Sequence, residues 1–139
     1  MSYIDDEKQE LCIDEGDRKK LYIDTKGKTS IGIGRNLIDV GISEDEEQLM
    51  FANDAGRADS TARALFPTFD TLSDNRKGVL FNMSFNMGYE TLSEFVGLIA
   101  AVGAADFNSA ADHMQASKWA GEVGDRATRL INRMRNDHA

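Results

Sequence analysis

The sequence predicts a mainly helical α+β fold. Three observations carry that expectation. A glycine-punctuated, strand-like stretch is confined to residues 17–38. Helical spacing of apolar residues fills most of the remainder. The regular strand–helix alternation that builds a parallel sheet is absent. The 139 residues suit one domain, and a 41% hydrophobic content supplies its core. Twelve glycines against one proline favour helices joined by tight turns.

The elements follow in order. Ile4, Leu11 and Ile13 stand among many charges, and a short amphipathic helix over residues 3–15 is expected to end near Gly16. Leu21-Tyr22-Ile23, Ser30-Ile31 and Ile33 are strand-like, and Asp24-Thr25-Lys26-Gly27 is a hairpin turn. They predict an antiparallel sheet of two or three strands. Ser43 and Glu46 form a capping box that starts a long helix to about Leu65. Ala52, Ala55, Ala58 and Ala62 give that helix a narrow stripe of small residues, so it is expected to lie partly exposed. Pro67 ends it. Ser73 to Met87 is apolar around most of its circumference, which describes a buried central helix capped by Gly88. Three further helices are expected at about 91–101, 106–116 and 123–135.

Composition excludes several functions. A net charge of −8 argues against nucleic-acid binding, which calls for a basic face. The single cysteine, Cys12, excludes an internal disulfide and a cysteine-built zinc site, and reads as a partly buried small residue on a helix. His113 and His138 are far apart, so no metal site and no cofactor are expected. Gly32-x-Gly34 lacks the third glycine of a dinucleotide fingerprint, because position 37 is Leu. The N-terminus shows no secretory signal, and the most apolar stretch, Phe95 to Val102, is too short to span a bilayer. The expected product is a soluble protein made in the cytoplasm, without membrane insertion.

Glu15 and Asp24 have an unusual context among 24 acidic residues. One ends the first helix and the other ends the first strand at a turn. Carboxylates so placed can face one cleft, and two carboxylates across a cleft suit acid–base chemistry on a glycosidic bond. Spacing alone does not single them out from so many acids.

The run from Asp14 to Gly34 resembles the phage lysozymes, the endolysins of glycoside hydrolase family 24. The family signature is Glu, eight residues, Asp, five residues, Thr. The present sequence has Glu15, eight residues, Asp24, five residues, Ser30. Leu-Tyr-x-Asp-Thr-x-Gly and Ile-Gly-Ile-Gly also match. Phe51-x-x-Asp54, Asn82-Met83-x-Phe85-Asn86-Met87-Gly88, Ser117-Lys118-Trp119 and Arg126-Ala127-x-Arg129 continue the likeness in order along the chain. Three departures stand out. Ser30 replaces the family's Thr, Arg35 replaces its His, and this chain is acidic where several members are basic.

The resemblance implies a lysozyme-like fold with a cleft between lobes. Residues 14–42 would form the β lobe and 43–65 the connecting helix. Residues 66–139 and the N-terminal helix would form the helical lobe. It implies Glu15 as general acid, Asp24 as the carboxylate that stabilises the oxocarbenium-like state or activates water, and Ser30 as holder of that water. Room for water between carboxylate and sugar suits inversion, with carboxyl groups roughly 6.5–9.5 Å apart. Gly34, Phe85 and Asn86 would line the cleft, although Phe85 also reads as plain core. Arg126 would sit beside Glu15, Asp14 would pair with Arg129, and Arg35 with Asp54. Trp119 reads as a core anchor rather than a sugar platform. The implied substrate is bacterial peptidoglycan, cut by a monomer in the periplasm after a holin releases it for host lysis. A lytic transglycosylase and a non-catalytic glycan-binding or virion protein are the alternative readings.

Overall fold

A computed structural model describes residues 2–138 of the chain. Among them are seven α-helices and one three-stranded antiparallel sheet, the mainly helical α+β class that the sequence predicts. The chain divides into two compact units, residues 1–49 and 50–139.

The first unit holds α1 (Tyr3–Glu15), β1 (Arg18–Ile23), β2 (Thr29–Gly32) and β3 (Arg35–Asn36). Ser2 caps α1 through a reciprocal box with Asp5. The helix ends at Gly16, as expected, but Ile4, Leu11 and Ile13 are all exposed and nothing in it is buried. Cys12 is half-buried. The strands run in the order β1-β2-β3, with Tyr22 opposite Ser30 and Ile31 opposite Arg35. The expected turn closes β1 to β2: the Asp24 amide donates to the Lys28 carbonyl at 2.9 Å, and the Gly27 amide to the Asp24 carbonyl at 3.0 Å. Among the described residues of this unit, Ser30 alone is buried. Hydrogen bonds and ion pairs, not a hydrophobic core, therefore hold its loops.

Arg35 supplies one such clamp. Its guanidinium donates to the Gly41 carbonyl at 3.1 Å and to Glu46 at 2.6 and 2.7 Å. Glu46 also accepts from the Ser43 amide at 2.9 Å, so the capping box of the long helix α2 (Glu44–Leu65) and the β3 strand share one carboxylate. The Arg35 guanidinium, then the Ser43 amide, hold the Glu46 carboxyl at about 2, down from an ordinary 4.5.

The boundary between the units falls within α2. Ala58, Ala62 and Leu65 are buried, whereas Leu49 and Ala52 are exposed, so the helix is partly exposed as its narrow stripe predicts. After one turn of 3-10 helix, Phe69–Thr71, the second unit continues as α3 (Asp74–Ser93), α4 (Val96–Gly103), α5 (Phe107–Ala116), α6 (Lys118–Val123) and α7 (Asp125–Asn136). Gly88 breaks α3 with φ of 78°, a backbone that only glycine adopts readily, and a further helical turn follows to Ser93. The helix expected near 91–101 is thus divided between the end of α3 and α4. The short α6, capped by Ser117, was not expected.

Leu65, Phe66, Val79, Leu80, Met83, Leu98, Met114, Trp119, Leu130 and Met134 belong to one buried cluster. The central helix is not buried all round, since Phe85 is 43% exposed. Trp119 is the core anchor it was expected to be, at 4% exposure. Arg76 ties the chain end to this core. Its guanidinium caps α7 by donating to the carbonyls of Met134 (2.8 Å) and Arg135 (3.3 Å), and it lies 3.8 Å from the centroid of the Phe107 ring.

Two stability predictions follow from these clamps. Arg76→Met removes two capping bonds and a cation–π contact, and should cost about 2–4 kcal/mol in urea unfolding, with Arg76→Lys intermediate. Glu46 has a folded value below its unfolded one, so its contribution is complete above 4.5 and fades as pH falls through about 2. The melting difference between the parent and Glu46→Gln should therefore be widest above pH 4.5 and close towards pH 2.

Candidate active site

The first unit brings expected site residues together in two pairs, Glu15 with Gly34 and Asp24 with Ser30. Glu15 is the last residue of α1, and its side chain lies against Gly34 in the turn between β2 and β3. A Cβ added at Gly34 would meet the Glu15 Cβ at 2.9 Å, its Cγ at 3.0 Å and its Oε2 at 3.2 Å. The space left by Gly34 is thus filled by Glu15, a role that the sequence does not foretell. Gly34 also has φ of +70°, which disfavours any side chain there.

Asp24 stands at the end of β1. Its Oδ1 accepts from the amides of Lys26 (2.9 Å) and Lys28 (2.8 Å), an Asx-type turn built by the residue itself. Among the described residues, its Oδ2 takes no hydrogen bond. Ser30 is 1% exposed, and its hydroxyl donates to the Lys28 carbonyl at 3.3 Å. The peptide groups of Lys28 therefore serve both side chains: the amide fixes the Asp24 carboxylate and the carbonyl fixes the Ser30 hydroxyl. With its proton committed, Ser30 Oγ keeps lone pairs that can accept from water. Asp24 Oδ2 is an acceptor of the same kind.

Tyr22 and Lys28 are site residues that sequence reasoning missed. Lys28 acts through its backbone, which residue identity does not report. Tyr22 donates its hydroxyl to the Glu15 carbonyl at 3.3 Å. Asp14 is exposed in the last turn of α1.

Of the other expected residues, Arg35 lies in the first unit and Asp54, Phe85, Asn86, Arg126 and Arg129 in the second. Phe85 and Asn86 are neighbours on α3, and successive helical residues point about 100° apart. They line different grooves. Asn86 lines one of about 700 Å³ with Phe95, His113, Ser117 and Trp119, and its Oδ1 accepts from the Trp119 indole at 2.8 Å. Phe85 lines another of about 960 Å³ with Ala52, Gly56, Ser60 and Tyr89. Its ring is 6.0 Å from that of Phe51 and 6.2 Å from that of Phe81. Arg126 donates to the Asn82 side chain at 2.8 Å and to its carbonyl at 3.4 Å, while Arg129 is exposed on α7. Asp54 pairs with Arg57. Arg35 and Asp54 thus each have a partner that the sequence did not name, Glu46 and Arg57.

A small sheet whose hairpin carries Asp24 and Ser30, next in the chain to a helix that ends on Glu15, within an otherwise helical protein, is the arrangement of a lysozyme-type α+β protein. The chain belongs to the phage lysozyme family, whose sequence pattern matches residues 13–137. It is similar to two proteins of Dictyostelium discoideum, probable T4-type lysozyme 2 and probable T4-type lysozyme 1. Each is 26% identical over 90% of this chain and 91% of the relative. Family membership supports a lysozyme-type glycosidase acting on peptidoglycan.

The Gly34 contact gives a direct test of this geometry. Gly34→Ala should lower stability by about 1–3 kcal/mol through its positive φ and its clash with Glu15. Hydrolytic activity per folded molecule should fall at least about tenfold, because Glu15, the acid that the family likeness implies, is displaced. Urea unfolding and a peptidoglycan turbidity assay on the same preparation separate the two effects.

Proposed function

We propose that the protein is a muramidase that hydrolyses the β-1,4 bond between N-acetylmuramic acid and N-acetylglucosamine. The observation that carries this reading is the shared use of Lys28. Its peptide groups fix a carboxylate and a buried hydroxyl from the two strands of one hairpin.

Glu15 protonates the glycosidic oxygen as the bond to the muramic acid C1 breaks. Asp24 supports the positive charge that develops at C1 through its Oδ2. A water held by Ser30 Oγ and Asp24 Oδ2 attacks C1 from the face opposite the leaving group and gives up a proton to Asp24. The product then carries the inverted anomer. Glycan contact by Gly34, Phe85 and Asn86, and support of the acid by Asp14, Arg126 and Arg129, are further roles that the family likeness suggests for these residues. Arg35 and Asp54 keep the surrounding loops and helix in place. The biological setting we favour is phage-induced lysis by a monomer. It is made in the host cytoplasm and admitted by a holin to the periplasmic peptidoglycan.

Ser30 and Asp24 favour this over a lytic transglycosylase, which replaces water with an internal sugar hydroxyl and needs no second group to hold water. The deciding experiment uses outer-membrane-permeabilised Gram-negative cells. The parent should clear them, and Glu15→Gln should be slower by about 10²–10⁴-fold. Mass spectrometry of the digest should find reducing muramic acid ends, and early NMR spectra should show the α-anomer first. Clearance by Glu15→Gln at the parent rate would overturn the acid assignment. Products ending in 1,6-anhydro sugars would overturn hydrolysis.

A further inference from the structure

We propose that Tyr22 is a positioning residue for Glu15, joining the end of α1 to the strand pair that carries the other reacting groups. This rests on the assignment of Glu15 as the acid. The last carbonyls of a helix have no partner within it. In α1 no basic side chain occupies the last turn to serve them. The Gly16 amide turns back to the Cys12 carbonyl at 3.0 Å, and the Glu15 carbonyl is met by the Tyr22 hydroxyl at 3.3 Å. That bond fixes the peptide plane that follows Glu15. It thereby fixes the direction of the Glu15 side chain towards Gly34.

Tyr22 is itself held on both sides. The Arg18 guanidinium lies 5.0 Å from its ring centroid. Across the sheet its partner is Ser30, and residues directly opposite in an antiparallel pair project to the same face. One rung of the β1–β2 ladder therefore carries the tyrosine that holds Glu15 and the serine proposed to hold water. Ser30 continues the chain of contacts through Lys28 to Asp24. Tyr22 is the member of this chain that reaches α1.

Tyr22→Phe keeps the ring and its Arg18 contact and deletes only the hydroxyl. On solubilised peptidoglycan, well below the melting temperature, kcat should fall about three- to tenfold, the equivalent of one neutral hydrogen bond, with KM unchanged. Amide exchange followed by NMR should quicken at Gly16 while the amides of α3 and α7 keep their protection. A purely structural role would instead quicken exchange throughout the chain. The proposal is overturned if kcat is unchanged, or if the exchange increase is uniform. Glu15→Gln is measured in parallel. If it is inactive while Tyr22→Phe is normal, the Tyr22 role alone fails. If it is as active as the parent, the acid assignment fails and the Tyr22 role with it.

Discussion

The backbone of Lys28 is the point on which the sheet unit depends. Its amide donates to Asp24 Oδ1 at 2.8 Å, and its carbonyl accepts from the Asp24 amide at 2.9 Å and from the Ser30 hydroxyl at 3.3 Å. One carbonyl has two lone pairs, and here both are used. The same bonds that close the hairpin therefore orient the carboxylate and the hydroxyl. Among the described residues this unit buries only Ser30, so apolar packing cannot do that work. Hydrogen bonds are individually modest but directional, which suits them to fixing angles where burial cannot.

The second unit is organised on the opposite principle. Its apolar cluster runs from Ala62 to Met134, and its polar contacts tie elements to that cluster. Arg76 caps α7 across Phe107, the Trp119 indole reaches Asn86, and Arg126 and Arg133 reach Asn82 and Asn75 on α3. Ser84 satisfies its buried hydroxyl on the Leu80 carbonyl of its own helix, at 2.7 Å. A polar residue in this core therefore needs no distant partner. Small changes in this unit should act mainly through stability, whereas small changes in the hairpin act on geometry.

The sequence made local signals legible because each is complete within a few residues. Ser43 with Glu46, Asp24 with Gly27, and Gly88 after Met87 are such signals, and each lies where it was expected. The spacing of Glu15, Asp24 and Ser30 was legible only through the family likeness, since 24 acidic residues offer many pairs. What escaped was of another kind. The tie through Lys28 is made by peptide groups, which every residue carries. Gly34 announced empty space without saying what fills it. Glu46 was assigned to the helix cap alone, yet a carboxylate has two oxygens, and Arg35 uses both. The apolar run around most of the circumference of α3 predicts a buried helix, but Phe85 is exposed and packs beside the exposed Phe51 and the half-buried Phe81.

These contacts bear on the replacement of the family's Thr by Ser30. In Thr the γ-methyl restricts χ1 and so keeps the hydroxyl in one well. Ser lacks that restriction, and in an exposed strand its hydroxyl would rotate among three. Ser30 is not exposed, and its hydroxyl has a carbonyl to bond two residues back. Burial and that bond do the work that branching does in Thr. The serine is then only as well ordered as the carbonyl it points to. That carbonyl belongs to the turn which Asp24 builds with its own side chain. In this chain the Ser30 hydroxyl, proposed to hold water, and the Asp24 carboxylate are therefore not independent parts, because loosening the Asp24 turn loosens the group that holds Ser30.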